Sequence, residues 1–352
     1  MDPYLQLAIA EGWHEKPVAA LLDPRADPAE LLAQPPPVPP TVARRLADPN
    51  LTAEAARMRE TASSLGIEIA TPIDAHYPER LRDAPLRPLA LFLEGDPEAL
   101  RLAPAVSVIG SRTPTAYGQD AAATFALALA GAGLTVWSGL ARGVDSIAHR
   151  QSVRLGRPTV AVLAGGLRHI YPAEHQGLAA QVAAGGGCLV SELPPHRRAR
   201  RGHFPRRNRI LAGATGASLV IEAGATSGSL HTARFAGECG RAVFCVPGPW
   251  SSERSRGCHR LLQEGASVAA DPAELLRDLG VQPALGPGTA RQLQLSADSR
   301  AILTCLQSGP RPADLVERES GLPRQQFLLA RFQLEGSGVI HTMPGDLLAA
   351  LP

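Results

Sequence analysis

A doubly wound α/β domain built on a parallel sheet is predicted from residue 105 onward, and three observations predict it. Six short apolar runs recur about every 25–30 residues. Each is continuously apolar, as expected of parallel strands covered on both faces. Each ends in small polar turn residues, and an amphipathic stretch leads on to the next run.

In chain order, residues 1–66 read as short helices at 4–10, 18–22, 29–32, 42–46 and 52–65, broken by the prolines of 34–40. Residues 67–93 read as a connector ending in the apolar piece Leu89-Ala90-Leu91-Phe92-Leu93. The strand runs are 106–109, 134–137, 159–163, 189–190, 219–221 and 242–246, with helices expected at 120–130, 145–155, 173–183, 207–214 and 229–240. Pro and Gly mark a linker at 281–288. Beyond it, helices at 301–307, 312–319 and from Leu322-Pro323 to Glu335, then a strand at 338–341, follow the winged-helix pattern. The third helix carries Arg324 and Arg331 but also Glu335, so both DNA and protein partners stay open for it. The expected domains are 1–66, 67–280 with its core at 105–270, a linker at 281–298, and 299–352.

At 352 residues the chain is too long for one core. Hydrophobic residues make up 45% and aromatics only 4%, so small aliphatic side chains must fill the interior. The net charge of +2 is nearly balanced, and affinity for a polyanion has to come from local clustering. Lys16 is the one lysine; the other cations are arginines. Five cysteines without a Cys-x-x-Cys pair read as reduced thiols of a cytoplasmic protein. No segment has the length of a membrane span, so no membrane partner is expected.

Between Glu192 and Glu222 there is no acidic residue, while 194–209 packs seven arginines around one aromatic, Phe204. Such a segment repels itself unless a polyanion lies against it. Phe204 adds a flat face on which an unpaired base can stack. The bland reading is a solvated loop, and the apolar segments on either side weigh against it.

Ligands of open parallel sheets bind beyond the carboxyl ends of the strands. There, Gly110-Ser111-Arg112-Thr113 offers amides, a hydroxyl and a guanidinium to one phosphate. Ser138-Gly139 ends another strand, and Thr226-Ser227-Gly228-Ser229 opens a helix in a similar way. Tight turns alone also account for small residues at such places. Neither Gly-x-Gly-x-x-Gly nor a Walker lysine is present, so no nucleotide cofactor is expected. No His, Cys or acid set has metal-site spacing, and no metal is expected. Asp145 and His149, four apart on a helix, are the candidate general-base pair, though an Asp that orients a nearby His is more often structural. Cys258 and His259 point apart on a helix.

The motifs together resemble the DNA-processing protein A family, also called DprA or Smf. They are Val108-Ile109-Gly110-Ser111-Arg112, Tyr117-Gly118, Ser138-Gly139-Leu140-Ala141-Arg142-Gly143-Val144-Asp145 with Ala148-His149, Tyr171-Pro172 and Ser191-Glu192. Phe204-Pro205-Arg206-Arg207-Asn208-Arg209-Ile210, Ser227-Gly228-Ser229-Leu230 with Thr232-Ala233, Val246-Pro247-Gly248 and 257–266 complete the set. The resemblance implies a Rossmann-like domain flanked by a sterile-alpha-motif-like helical domain and a winged helix. It implies a non-enzymatic, homodimeric protein that binds single-stranded DNA and helps load RecA recombinase in natural transformation. Carried over by motif, Gly110, Ser111, Arg112, Thr113, Gly139, Phe204, Arg207, Asn208, Arg209, Ser227 and Gly228 should form the strand site. Arg157 stands where the family often has a lysine. His259, Leu261 and Leu262 fall where a dimer contact is expected. The stretch 196–202 is richer in arginine than the family pattern, which points to a wider DNA footprint.

Two rivals remain. A nucleotide phosphoribohydrolase would use Asp145, Glu192 or Glu222 as its acid. A protein-docking scaffold would work through the terminal domains alone.

Overall fold

Along the strand 105–109, Val106 and Val108 enter one apolar cluster and Ile109 enters another on the opposite face. The same alternation divides Val160 and Val162 from Ala161 and Leu163. Side chains of a strand point alternately to its two faces, so a sheet built of such runs has to be covered on both. The computed structural model describes residues 2–281, 296–307, 309–336, 339–343 and 345–350, in two units, Met1–Pro283 and Ala284–Pro352.

The first unit begins with helices α1 (Pro3–Glu11), α2 (Pro28–Ala33), α3 (Pro40–Leu46) and α4 (Leu51–Ser64). Asp2 caps α1 by accepting from the amides of Tyr4 and Leu5, and Pro3 sits in its first turn. Strands β1 (Glu68–Ala70) and β2 (Leu91–Gly95) follow, with the short α5 (Glu79–Arg82) between them. Next come β3 (Ala105–Ile109), α6 (Ala116–Gly131), β4 (Thr135–Ser138), α7 (Val144–Arg154), β5 (Thr159–Leu163), α8 (Gln176–Ala184) and β6 (Cys188–Ser191). The unit closes with α9 (His203–Ala214), β7 (Ala217–Val220), α10 (Ser229–Glu238), β8 (Ala242–Cys245), α11 (Arg256–Gln263), β9 (Ser267–Val268) and α12 (Pro272–Asp278).

The nine strands form one sheet in the order β1-β2-β6-β5-β4-β3-β7-β8-β9. The expected parallel core is present, from β6 through to β9. Its left edge differs from expectation. Residues 67–93 are no mere connector, because β1 and β2 add two antiparallel strands beside β6. The apolar piece 89–93 is fully buried and covers what would be an open sheet edge.

The helices of 1–66 share one apolar cluster with the sheet and α8: Leu5, Leu7 and Ile9 of α1 belong to the same cluster as Phe92, Leu163, Leu178 and Leu189. Expected as a separate domain, they lie within the first unit.

The second unit holds α13 (Ala297–Cys305), α14 (Ala313–Ser320) and α15 (Arg324–Gly336). Its antiparallel sheet joins β10 (Arg311–Pro312), β11 (Ile340–Met343) and β12 (Leu347–Ala350) in the order β10-β12-β11. Ile302, Val316, Phe327 and Leu348 form its core. Arg331 is tied to Glu335 at 3.0 Å and Asp346 at 2.8 Å, which neutralises much of its charge. The linker expected at 281–298 lies outside the described residues, Val281 and 296–298 excepted.

Candidate nucleic-acid interface

The strand order reverses at β3, with β4, β5 and β6 on one side and β7 and β8 on the other. The chain crosses back through α9. The crevice beyond the carboxyl ends of β3 and β7 is where such sheets take ligands. A cleft of about 440 Å³ opens there, lined by Gly110, Arg112, Asp145, Phe204, Arg207, Asn208, Ser227, Gly228 and His231 among others. A smaller hollow adjoins it, lined by Gly139, Arg142, Gly165 and Tyr171, and Arg112, Ala141 and Phe204 line both.

Helix α9 sets the geometry. It starts at His203, four residues earlier than the sequence suggests, so Phe204 is helical. Phe204, Arg207 and Asn208 stand at i, i+3 and i+4 and share the face that looks into the cleft. Arg206 and Arg209, at i and i+3 of another face, turn instead toward the carboxylate of Glu192. Helical periodicity thus divides the arginines of one run between two tasks.

At the mouth, the Arg112 guanidinium lies over the Phe204 ring, 5.0 Å from its centroid. The exposed Tyr171 meets the same ring edge-on, with centroids 5.9 Å apart. Below them Arg207 is buried. It donates through Nη1 to the Val162 carbonyl and through Nε to Asn208 Oδ1 at 3.1 Å. Burial holds its pKa down to about 10; the Asp145 carboxylate opposes that shift, and the like charge of Arg112 adds to it. Asn208 reaches the Gly228 carbonyl at 3.4 Å and so ties α9 to the start of α10.

Gly110 is forced by close approach: a Cβ there would lie 2.7 Å from Val144 Cγ2. Of the turn that follows, less is free than expected. The Ser111 amide donates to the Glu222 carbonyl at 2.7 Å, so it is not available to a phosphate. Arg254, which sequence reasoning missed, donates to Thr113 O and Oγ1 at 2.6 Å each and to Ser111 Oγ at 3.3 Å. Ser111 and Thr113 are thus held beside the cleft by a third arginine. At α10, Ser227 and Ser229 share a hydroxyl hydrogen bond of 2.7 Å.

Several expected site residues lie elsewhere. Arg209 is 2% exposed and paired with Glu192 on the far side of α9. Arg157 is exposed just before the amino end of β5, whereas the cleft lies beyond the carboxyl ends of the strands. Leu261, 6% exposed, packs into the chain's own core. His259 Nε2 is 3.0 Å from the Gly248 carbonyl, and Leu262 is half-buried.

Asp145 and His149 do not pair. Asp145, in the first turn of α7, holds the loop after β4 by accepting from the amides of Gly139 at 3.1 Å and Ala141 at 3.4 Å. Burial raises its pKa, against Arg207 and those two amides. His149 is fully buried with Nδ1 2.9 Å from Thr159 Oγ1. Burial, then Arg207 and His175, lowers its pKa to about 3. Glu222 accepts from Thr115 Oγ1 and its amide, and Glu192 lies within its arginine pair; neither lines the cleft. Among the described residues no group of acids, His and Cys is placed to hold a metal, and no helix is long and apolar enough to cross a membrane.

Tyr171 was visible as part of a Tyr-Pro motif, but no spacing in the sequence placed it against Phe204. Arg254 sits in a polar loop with no pattern to distinguish it.

A family model described as DNA recombination-mediator protein A matches residues 68–280. Protein Smf of Escherichia coli (strain K12) is 37% identical over 282 residues, 78% of this chain and 75% of that one. DNA processing protein DprA of Bacillus subtilis (strain 168) is 35% identical over 214 residues, 61% of this chain and 72% of that one. The X-ray structure of DNA processing protein A from Streptococcus pneumoniae superposes with a TM-score of 0.64 at 28% identity, covering 79% of this chain and 98% of that one. DNA processing protein A from Helicobacter pylori, whose structure addresses its single-stranded DNA binding mode, gives 0.54 at 28% identity, covering 60% and 95%. With its sheet and cleft both inside the matched span, this chain belongs to the DNA recombination-mediator protein A family.

Proposed function

We propose that this chain binds single-stranded DNA in the cleft beyond β3 and β7 and leaves its covalent bonds intact. The observation that carries the reading is the stack of Arg112 on Phe204 above the buried Arg207. It sets a flat ring for a base beside guanidinium groups for the adjoining phosphates. Gly110, Asn208, Ser227 and Gly228 shape the walls, Gly139 lines the adjoining hollow, and Ser111 and Thr113 with Arg254 support the rim. Unpaired strands are favoured because Phe204 and Tyr171 need an unstacked base. The acids a hydrolase would need are occupied: Asp145 by the loop after β4, Glu222 by Thr115 and Glu192 by its arginines.

In the cell, the proposed role is that of a cytoplasmic recombination mediator. It protects an incoming strand and passes it to RecA recombinase as a homodimer, with the surface of α11 and β9 at the contact and the second unit, a winged helix, as an accessory docking module. The relatives' names support the recombination-mediator and DNA-processing part of this role.

The test is fluorescence anisotropy with single- and double-stranded oligonucleotides at two salt concentrations. Preference for the single strand, lost in Arg112→Ala, is the expected result. Equal binding by wild type and Arg112→Ala would remove the cleft from the account. Release of free base from nucleoside monophosphates would revive the hydrolase reading.

A further inference from the structure

The arginines of 196–202 take no part in the cleft, yet the structure gives them a defined place. Two backbone hydrogen bonds pin the segment to the loop after β5: Gly166 donates to the Arg197 carbonyl at 2.7 Å and Arg168 to the Pro195 carbonyl at 2.9 Å. Its far end is fixed as well. The Arg200 amide donates to His203 Nδ1 at 3.1 Å, and the Gly202 amide to Glu15 Oε2 at 3.2 Å. The segment therefore holds its shape without help from its own side chains.

Those side chains are unspent. Arg198, Arg200 and Arg201 are exposed and Arg197 half-exposed. Among the described residues none of the four makes a side-chain ion pair or hydrogen bond. Most other arginines near the cleft are engaged: Arg142 with Glu174, Arg254 with Thr113, Arg206 with Glu11 and Glu192. Glu15, which touches the segment, spends one oxygen on the Gly202 amide. The uncompensated charge is felt locally, since burial and then Arg197 lower the pKa of His203.

Position supplies the second half. Gly165, which lines the hollow under Tyr171 and Phe204, packs directly against Ala199, and Ala199 lies between Arg198 and Arg200. The run of free cations thus begins where the aromatic pair ends.

We infer that the 196–202 segment is a phosphate track which continues the cleft past Tyr171 and Phe204, so that the chain grips a longer stretch of unpaired strand than the cleft alone can hold. This rests on the strand-binding reading above. Its ligand is the sugar-phosphate chain itself, read without regard to base, and its contribution is electrostatic.

The test compares wild type, the triple variant Arg198→Ala/Arg200→Ala/Arg201→Ala, the same three positions changed to Lys, and Arg112→Ala. Each is titrated by anisotropy with oligothymidylates of about five and about twenty nucleotides. Removing one arginine–phosphate pairing lowers the log–log salt slope by about 0.7 and weakens binding about fivefold at 0.1 M salt. The alanine triple should lose affinity and slope for the long strand only, and the lysine triple should recover both. All three positions are exposed, and a matching thermal midpoint checks that the variant folds. If the alanine triple binds the long strand like wild type while Arg112→Ala does not, the track falls and the cleft stands. If Arg112→Ala binds normally, the cleft falls and the track with it. Equal loss for the short and long strands, or for a duplex of the same length, also overturns a track that extends a single-strand cleft. So does a triple variant with unchanged DNA binding that loses only a protein partner.

Discussion

Arg207 fills the volume that a side chain at position 139 would need: a Cβ on Gly139 would lie 1.9 Å from Arg207 Nη1. The end of β4 and the second turn of α9 are therefore built around one guanidinium, which also donates to the Val162 carbonyl at the end of β5. Two strand ends and a helix are joined beneath the cleft by a single side chain.

Gly139→Ala is expected to displace that guanidinium and leave the Val162 carbonyl without its partner. Loss of a buried hydrogen bond to a charged group costs about 1.5–3 kcal/mol. A lowered unfolding midpoint in urea, together with weakened strand binding, is the expected pair of results. Wild-type behaviour in both would show that Arg207 finds an equivalent place.

Phe204 and Arg112 should separate by the kind of loss they cause. Phe204→Leu keeps apolar bulk but removes the flat face, and base stacking on an aromatic is worth about 1–3 kcal/mol. That corresponds to roughly a five- to 150-fold weaker complex, with the salt slope unchanged. Arg112→Ala should lower the slope by about 0.7, because one phosphate keeps its counterion. Anisotropy titrations over a salt series read both quantities. A slope change in the Phe204 variant would mean that the ring acts by positioning Arg112.

The sequence revealed the parallel core because Val106–Ile109 and Thr159–Leu163 are apolar at all but one position each, Ser107 and Thr159, as a doubly covered sheet requires. It concealed β1 and β2 because Glu68–Ala70 is too short to show a period, and the pairing of Leu93 with Val190 joins residues far apart in the chain. The arginine run was legible as charge, not as geometry. Only the phase of α9 decides that Arg207 meets the cleft while Arg206 and Arg209 meet Glu192. Arg157 was carried by motif position alone, and the direction of β5 puts it at the wrong end.

Glu11 at the end of α1 holds Arg206 through two contacts, 2.8 and 3.0 Å, and Arg206 in turn holds Glu192. All three are nearly fully buried. Removing one partner of such a set strands the others, at a cost of about 3–5 kcal/mol. Glu11→Ala should therefore lower stability by that order, read from chemical unfolding, although Glu11 lies far in sequence from the cleft. Deleting 1–66 should do worse and yield insoluble protein, because the sheet face under Leu5, Leu7 and Ile9 would be bared. A soluble, cooperatively folding fragment that starts at residue 67 would contradict that.

Stability should fall in two stages as pH is lowered. His149 takes a proton near 6.5 when unfolded but only near 3 when folded, because burial, Arg207 and His175 all disfavour its cation. Between those values the unfolded chain binds the extra proton, so acid favours unfolding. The buried His203 shifts in the same direction. Glu192 acts lower: burial works against its charge, but Arg206 and Arg209 outweigh burial and depress its pKa below the ordinary 4.5. Its contribution is complete above that value and is lost as pH drops through the folded one. His149→Gln should flatten the decline in thermal midpoint between about pH 6.5 and about pH 4.5 and leave the steeper loss below it. A decline of wild-type slope in that variant would assign the first stage to other groups, His203 foremost.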